Sequence, residues 1–193
     1  MTTKIALDGV GGQGVRLIAG VMGALLARMG KEVTVLFDYD SSVRGSMSDA
    51  FLIFDDQPIA NPVVEEADIM LKLADKGHLR ISGRKVVTDL GLGFPGAEQI
   101  PFGSLGSQHF GKELFGNMIA LGRLLRLAAI EFDEDAIRES LPRRFVEENL
   151  AAIRFGYDLT DEEITRLAGV APPSRFQMNT AATHRRGAAT VPR

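Results

Sequence analysis

Four glycines near the start of the chain, Gly9, Gly11, Gly12 and Gly14, with Gln13 among them, carry the spacing most suited to binding chemistry. Bare glycines let a backbone approach a phosphate closely. A helix that follows them offers its first N–H groups and the positive end of its dipole to a negative charge. The apolar run Ile5-Ala6-Leu7 precedes the cluster. Behind it, Val15, Ile18, Val21, Met22, Leu25, Leu26 and Met29 recur at helical spacing, and Gly30 is a natural stop. Strand, tight turn, helix is the context in which Gly9-x-Gly11-x-x-Gly14 reads as a fingerprint for a phosphate-bearing ligand. The same glycines would also serve close packing of a helix on a sheet.

Two further groups could contact such a ligand. Ser41 to Ser48 is a small, polar stretch with one arginine, Arg44, whose guanidinium could fork onto an anion while the serines offer hydroxyls. A solvated connector would have the same composition. Asp38 and Asp40 end the second predicted strand, where a dinucleotide-binding unit holds ribose hydroxyls. They are equally at home as loop-forming aspartates. A self-contained nicotinamide-dependent dehydrogenase, or a plain nucleotide-binding module, therefore stands as an alternative reading.

Other chemistries find little support. The chain has no cysteine, which excludes disulfides and any Cys-ligated zinc or iron–sulfur cluster on it. His78, His109 and His184 are isolated from one another and read as surface or hydrogen-bonded histidines. No nucleophile, histidine and acid fall into a catalytic pattern. A net charge of −3 gives no general attraction to nucleic acid. No apolar run is long enough to cross a bilayer, and MTTKIALDG lacks the apolar core of a signal peptide, so a cytoplasmic location is expected.

The elements that would position the glycine turn follow in order. Glu32–Phe37, Asp49–Asp55, Asp68–Leu73 and Lys85–Thr88 read as strands, and Asp49–Asp55 reads as an interior one because its middle is continuously apolar. Residues 91–107 read as a glycine-rich loop with a short extended piece at Gln99–Phe102. The chain turns helical from about Lys112, with Phe115, Met118, Ile119, Leu121, Leu124, Leu125 and Leu127 largely buried. Asn117, inside that pattern, is expected to make an internal hydrogen bond. Helices follow over Asp133–Leu141 and Arg143–Tyr157, and Thr160 to Glu163 resembles a capping box that opens a short helix to Leu167. Beyond Gly169 small residues and arginines dominate, and no acid occurs after Glu163. Such a tail has no core of its own and is expected to lie against a partner chain. The whole reads as an α/β protein: a mostly parallel, Rossmann-like sheet with helices on both faces and C-terminal helices.

With these motifs in place the chain resembles the γ subunit, or γ domain, of 2-oxoacid:ferredoxin oxidoreductases, the family acting on pyruvate, 2-oxoglutarate, branched-chain and aryl 2-oxo acids. The likeness rests on GVGGQG at Gly9–Gly14, VRGSMSDAFLIFDDQPIANP at Val43–Pro62, GNMIALGRLL at Gly116–Leu125 and FVEENLAAIRFGYD at Phe145–Asp158. Ser46 stands where family members commonly carry a glycine after Arg44-Gly45, adding a Cβ and a hydroxyl to that loop. The resemblance implies a γ-type domain over residues 1–158 and an extension over 159–193 packed on a partner subunit.

It further implies a multi-subunit enzyme. A 2-oxo acid is decarboxylated on thiamine diphosphate with Mg, electrons leave through [4Fe–4S] clusters to ferredoxin or a similar carrier, and the acyl group passes to coenzyme A. Thiamine diphosphate, Mg and the clusters would sit on partner subunits. This chain would be non-catalytic, supplying structure and a share of the coenzyme A site through Gly9, Gly11, Gly12, Gln13 and Gly14, with Arg44 second.

Overall fold

The computed structural model describes residues 2–39, 47–74, 82–92 and 94–170. Arg44, Asp40 and the serine-rich stretch up to Ser46, His78, His184 and the tail beyond residue 170 lie outside the described residues; Met47 and Ser48, read as part of that stretch, are strand.

Six strands form one sheet: β1 Thr3–Val10, β2 Glu32–Tyr39, β3 Met47–Asp55, β4 Glu66–Lys72, β5 Ser82–Asp89 and β6 Glu98–Ile100. Their spatial order is β2-β3-β1-β4-β5-β6. β1, β4, β5 and β6 pair in parallel. β3 pairs antiparallel with both β1 and β2, so it alone runs backwards in an otherwise unidirectional sheet. β3 is interior, as its apolar centre requires: it has a hydrogen-bonded neighbour on each side.

The helices are α1 Val15–Arg28, α2 Phe102–Phe110, α3 Gly116–Leu127, α4 Glu134–Ser140, α5 Val146–Asp158 and α6 Asp161–Val170, with a 3-10 turn at Glu113–Phe115 before α3. Alternation along β1 divides the sheet into two faces. Ile5 and Leu7 join the main core with Ile18, Met22, Leu25 and Leu26 of α1, and every described helix contributes to that cluster. Ala6, Met70, Phe51 and Val86, in register across the opposite face, form a smaller cluster with Ala67 and Val64. Helical cover among the described residues is therefore concentrated on the α1 face of the sheet.

α3 and α5 cross in backbone contact. A Cβ built on Gly122 would fall 1.9 Å from the Ile153 carbonyl oxygen, and one on Gly156 would fall 1.9 Å from that of Ile119. Glycine at both positions is what permits this approach. The capping box at Thr160 forms as the sequence predicts. Thr160 Oγ1 accepts from the Glu163 N–H at 3.3 Å, while Glu163 Oε2 accepts from the Thr160 N–H at 2.9 Å. Asp133 Oδ1 caps α4 by accepting from the Ala136 N–H at 3.0 Å.

One expected element boundary fails. The stretch read as a loop to Ser107 contains α2, which starts at Phe102. Gly103 and Gly106 lower the intrinsic helix propensity there. Burial of Phe102 and Leu105 overrides it, and Gly106 is needed because a Cβ would come within 2.6 Å of the Gly116 nitrogen at the start of α3.

Candidate functional site

The glycine turn leaves β1 at the carboxyl edge of the parallel strands and delivers the chain into α1. The Gln13 N–H closes it on the Val10 carbonyl at 3.1 Å. Gln13 then pins the turn from inside: its Oε1 accepts from the Val10 N–H at 2.8 Å, and its Nε2 donates to the Leu73 carbonyl at 2.8 Å. The Gln13 side chain is thus a clasp between the turn and the end of β4. Gly9 lies under α1, where a Cβ would be 2.6 Å from Val15 Cγ2 and 2.9 Å from Gln13 Oε1. Gly12 (φ +100°) and Gly14 (φ +84°) adopt left-handed backbone that a side chain would strain. Gly11 and Gly12 are exposed, and nothing lies within 4 Å of where a Gly12 Cβ would be.

Gly14 is the N-cap of α1, and no side chain caps that helix. No acidic residue lies in its first turn. The first N–H groups of a helix have no carbonyl partner within it, so this end carries donors and partial positive charge without a carboxylate of its own. Five of the six expected site residues, Gly9, Gly11, Gly12, Gln13 and Gly14, are brought together here. The sixth, Arg44, is outside the described residues.

A row of polar residues crosses the other face of the sheet at the same edge. Register places Asp38, Asp49, Asp8, Lys72, Thr88 and Gln99 side by side on successive strands. Asp8, Asp49, Lys72 and Thr88 are buried. Lys72 Nζ lies 3.3 Å from Asp8 Oδ2, and 5.0 Å from the centre of the Phe94 ring. Sequence reading missed this row. Its one local signal is a lysine inside the apolar run DIMLKL.

Asp38 ends β2, but β3 separates β2 from β1. In a dinucleotide-binding unit the strand bearing the ribose-binding acid lies next to the strand that leads into the glycine turn. Here it is two strand spacings away, roughly 10 Å. The dehydrogenase reading thereby loses its second contact.

Two other polar groups near this edge stand out. Burial pushes the Asp89 carboxyl, at the end of β5, up to about 7; Glu113 adds in the same direction, and the backbone N–H groups of Gly103 and Leu90 oppose it. Asn117, the second residue of α3, is buried, yet its Nδ2 has no hydrogen-bond partner. The expectation of an internal hydrogen bond is corrected. The amide lies against Gly14, where an added Cβ would be 2.4 Å from Nδ2, and a glycine α-carbon offers no acceptor.

The arrangement is suited to holding an anion with backbone donors. Among the described residues no group of three or more His, Cys, Asp or Glu side chains could hold a metal ion. No described helix is long and apolar enough to cross a membrane.

Comparison with known proteins agrees across almost the whole described chain. The family model "Pyruvate ferredoxin/flavodoxin oxidoreductase" matches residues 4–159. The 2-oxoglutarate synthase subunit KorC of Archaeoglobus fulgidus is 30% identical over 168 residues, covering 81% of this chain and 87% of the relative. Among solved structures, the γ subunit of a keto/oxoacid ferredoxin oxidoreductase from Geobacter sulfurreducens superposes with a TM-score of 0.66 at 23% identity, over 86% of this chain and 98% of that one. The 2-oxoglutarate:ferredoxin oxidoreductase of Magnetococcus marinus, solved with 2-oxoglutarate, coenzyme A and succinyl-CoA bound, has a TM-score of 0.66 at 19% identity, over 90% of this chain and 32% of that longer one. The last two likenesses establish a shared fold. The match of the family model over residues 4–159, together with the archaeal relative, places the chain in the pyruvate ferredoxin/flavodoxin oxidoreductase family, as a protein of its γ-subunit type.

Proposed function

We propose that the chain is the non-catalytic γ subunit of a cytoplasmic, thiamine diphosphate-dependent, coenzyme A-acylating 2-oxoacid oxidoreductase. It gives the complex structural support and forms part of the coenzyme A site. The observation that carries the second role is the exposed glycine turn at the carboxyl edge of the sheet, feeding an uncapped 14-residue helix. Coenzyme A carries phosphates, and backbone N–H groups at a helix start are suited to them. Within this reading Gly11, Gly12 and Gly14 leave the approach open, Gly9 lets α1 sit close on β1, and Gln13 holds the loop in shape. Arg44 would add a guanidinium to the same anion.

Thiamine diphosphate with Mg, held by partner subunits, supplies the decarboxylation chemistry, and [4Fe–4S] clusters on those partners carry electrons to ferredoxin or a similar carrier. The chain's lack of cysteine supports placing the clusters elsewhere. The basic segment beyond residue 170 would lie against one of these partners.

The test is anaerobic purification of the tagged chain from its own cells, followed by assay with a panel of 2-oxo acids, coenzyme A and a one-electron acceptor. The expected result is co-purification with thiamine- and cluster-bearing subunits and acyl-CoA formation that needs every subunit. Recovery of the chain alone, with NAD bound, would overturn the proposal and restore the dehydrogenase reading.

A further inference from the structure

We infer that Asn117 is a ligand-binding residue: its side-chain amide donates to a phosphate oxygen seated at the amino end of α1, so that α1 and α3 build one anion site together. The inference rests on the reading of the glycine turn as part of the coenzyme A site.

Three observations converge on it. Asn117 is only 7% exposed, and its Nδ2 is buried without any acceptor. Native proteins rarely leave a buried donor unpaired, and such a group marks a place where something else binds. The second observation is position. Nδ2 lies 2.4 Å from where a Cβ on Gly14 would be, and Gly14 is the N-cap of α1. A side chain at Gly14 would occupy the space the amide uses, so the last glycine of the fingerprint is what lets the amide sit against the start of α1.

The third observation is charge. α1 has neither a side-chain cap nor an acidic residue in its first turn. Its positive end therefore meets Asn117 at Gly14 with no carboxylate in that turn to neutralise it, whereas α3 runs on from the 3-10 turn Glu113–Phe115 and contributes the Asn117 side chain. α4 and α6, in the same chain, both open on a side-chain cap with acids in the first turn. Nδ2 is closed from solvent in the ligand-free chain, so binding has to move Asn117 or the atoms that cover it.

The test uses the intact complex and isothermal titration with three probes: coenzyme A, dephospho-coenzyme A and 4′-phosphopantetheine. The Asn117 variants are titrated with the same probes: a variant penalty that vanishes with dephospho-coenzyme A assigns the 3′-phosphate to Asn117, and one that persists there but vanishes with 4′-phosphopantetheine assigns the pyrophosphate. Removing one hydrogen bond to a charged group should weaken coenzyme A about tenfold in Asn117→Ala, and Asn117→Asp, which replaces a donor with a like charge, about a hundredfold. The melting temperature of Asn117→Ala should stay near that of the unmodified complex.

If the unmodified complex binds coenzyme A and Asn117→Asp binds it within about twofold as tightly, the inference falls and the glycine-turn reading stands. If the unmodified complex binds none of the probes, both fall. If neither variant assembles, Asn117 is a structural residue and the inference is overturned.

Discussion

The two ends of α3 treat a buried polar side chain in opposite ways. Near the carboxyl end, Arg123 is 3% exposed and fully answered. Its Nε and one terminal nitrogen donate to the two Glu98 oxygens at 2.8 and 2.9 Å. The same terminal nitrogen reaches Asp161 at 3.0 Å, and the other donates to the Leu159 carbonyl at 3.0 Å. Near the amino end, Asn117 is buried to almost the same degree and its Nδ2 finds nothing. Arg123 ties β6, α3 and the start of α6 into one body. A planar fork that reads a carboxylate with two parallel bonds is a means of fixing geometry. Asn117 fixes nothing within the chain, and leaving its donor unmet costs about 1–3 kcal/mol. One end of the helix is built for the fold, and the other holds an unmet donor beside the glycine turn.

The most damaging way to break the contrast is at the structural end. Gly122→Ala places a Cβ against the Ile153 carbonyl, where there is only 1.9 Å, and forces α3 and α5 apart. A loss of about 3 kcal/mol is expected from such overpacking, read as a fall in the denaturant midpoint. Arg123→Ala comes next. It strands the Glu98 carboxylate and the Leu159 carbonyl, at a cost of about 2 kcal/mol after allowing for the exposure of Asp161 and the partial exposure of Glu98. Arg123→Lys should recover little of this, because an ammonium cannot reproduce the two-bond fork.

Asp89 sharpens the comparison through pH. Its carboxyl titrates near 7 in the folded chain against 3.8 as the ordinary value. The native state therefore keeps a proton that the unfolded state releases, and stability falls as pH rises from about 4 to about 7, levelling above that. Asp89→Asn should flatten this slope and leave the chain more stable at pH 8 than the unmodified protein, as measured by urea melts across the range. An unchanged slope would show that Asp89 is solvated or charge-compensated in solution. Asn117→Ala is the smallest effect on the fold: within about 1 kcal/mol, since the amide loses no bond and the relief of an unmet donor offsets the packing lost. A loss as large as that of Arg123→Ala would erase the distinction between the two ends.

What the sequence discloses follows the range of the forces involved. The glycine turn, the strands Glu32–Phe37 and Asp49–Asp55 and the capping box at Thr160 are set by neighbours within a few residues, and all are legible from the residues alone. Strand order is not. Nothing in β3 itself says that it slips between β1 and β2, yet that insertion is what takes Asp38 away from the glycine turn. α2 is hidden because Gly103 and Gly106 obscure a helix whose reason is contact with Gly116 and burial of Phe102 and Leu105. Asn117 is hidden for a different reason. A polar residue in an apolar helix predicts a partner, and only the packing shows that the Gly14 α-carbon, which offers no acceptor, occupies the place where one should be. The row Asp49-Asp8-Lys72-Thr88 is likewise a product of register between four strands and has no pattern within any one of them.

The most direct measurement is a cryo-electron microscopy map of the anaerobically purified complex with coenzyme A bound. If the glycine turn forms part of the coenzyme A site, phosphate density lies over Gly11 to Gly14, within hydrogen-bond distance of the first N–H groups of α1 and of the Asn117 amide. Coenzyme A density seated wholly on other subunits, with the glycine turn buried under a partner chain, would contradict that reading.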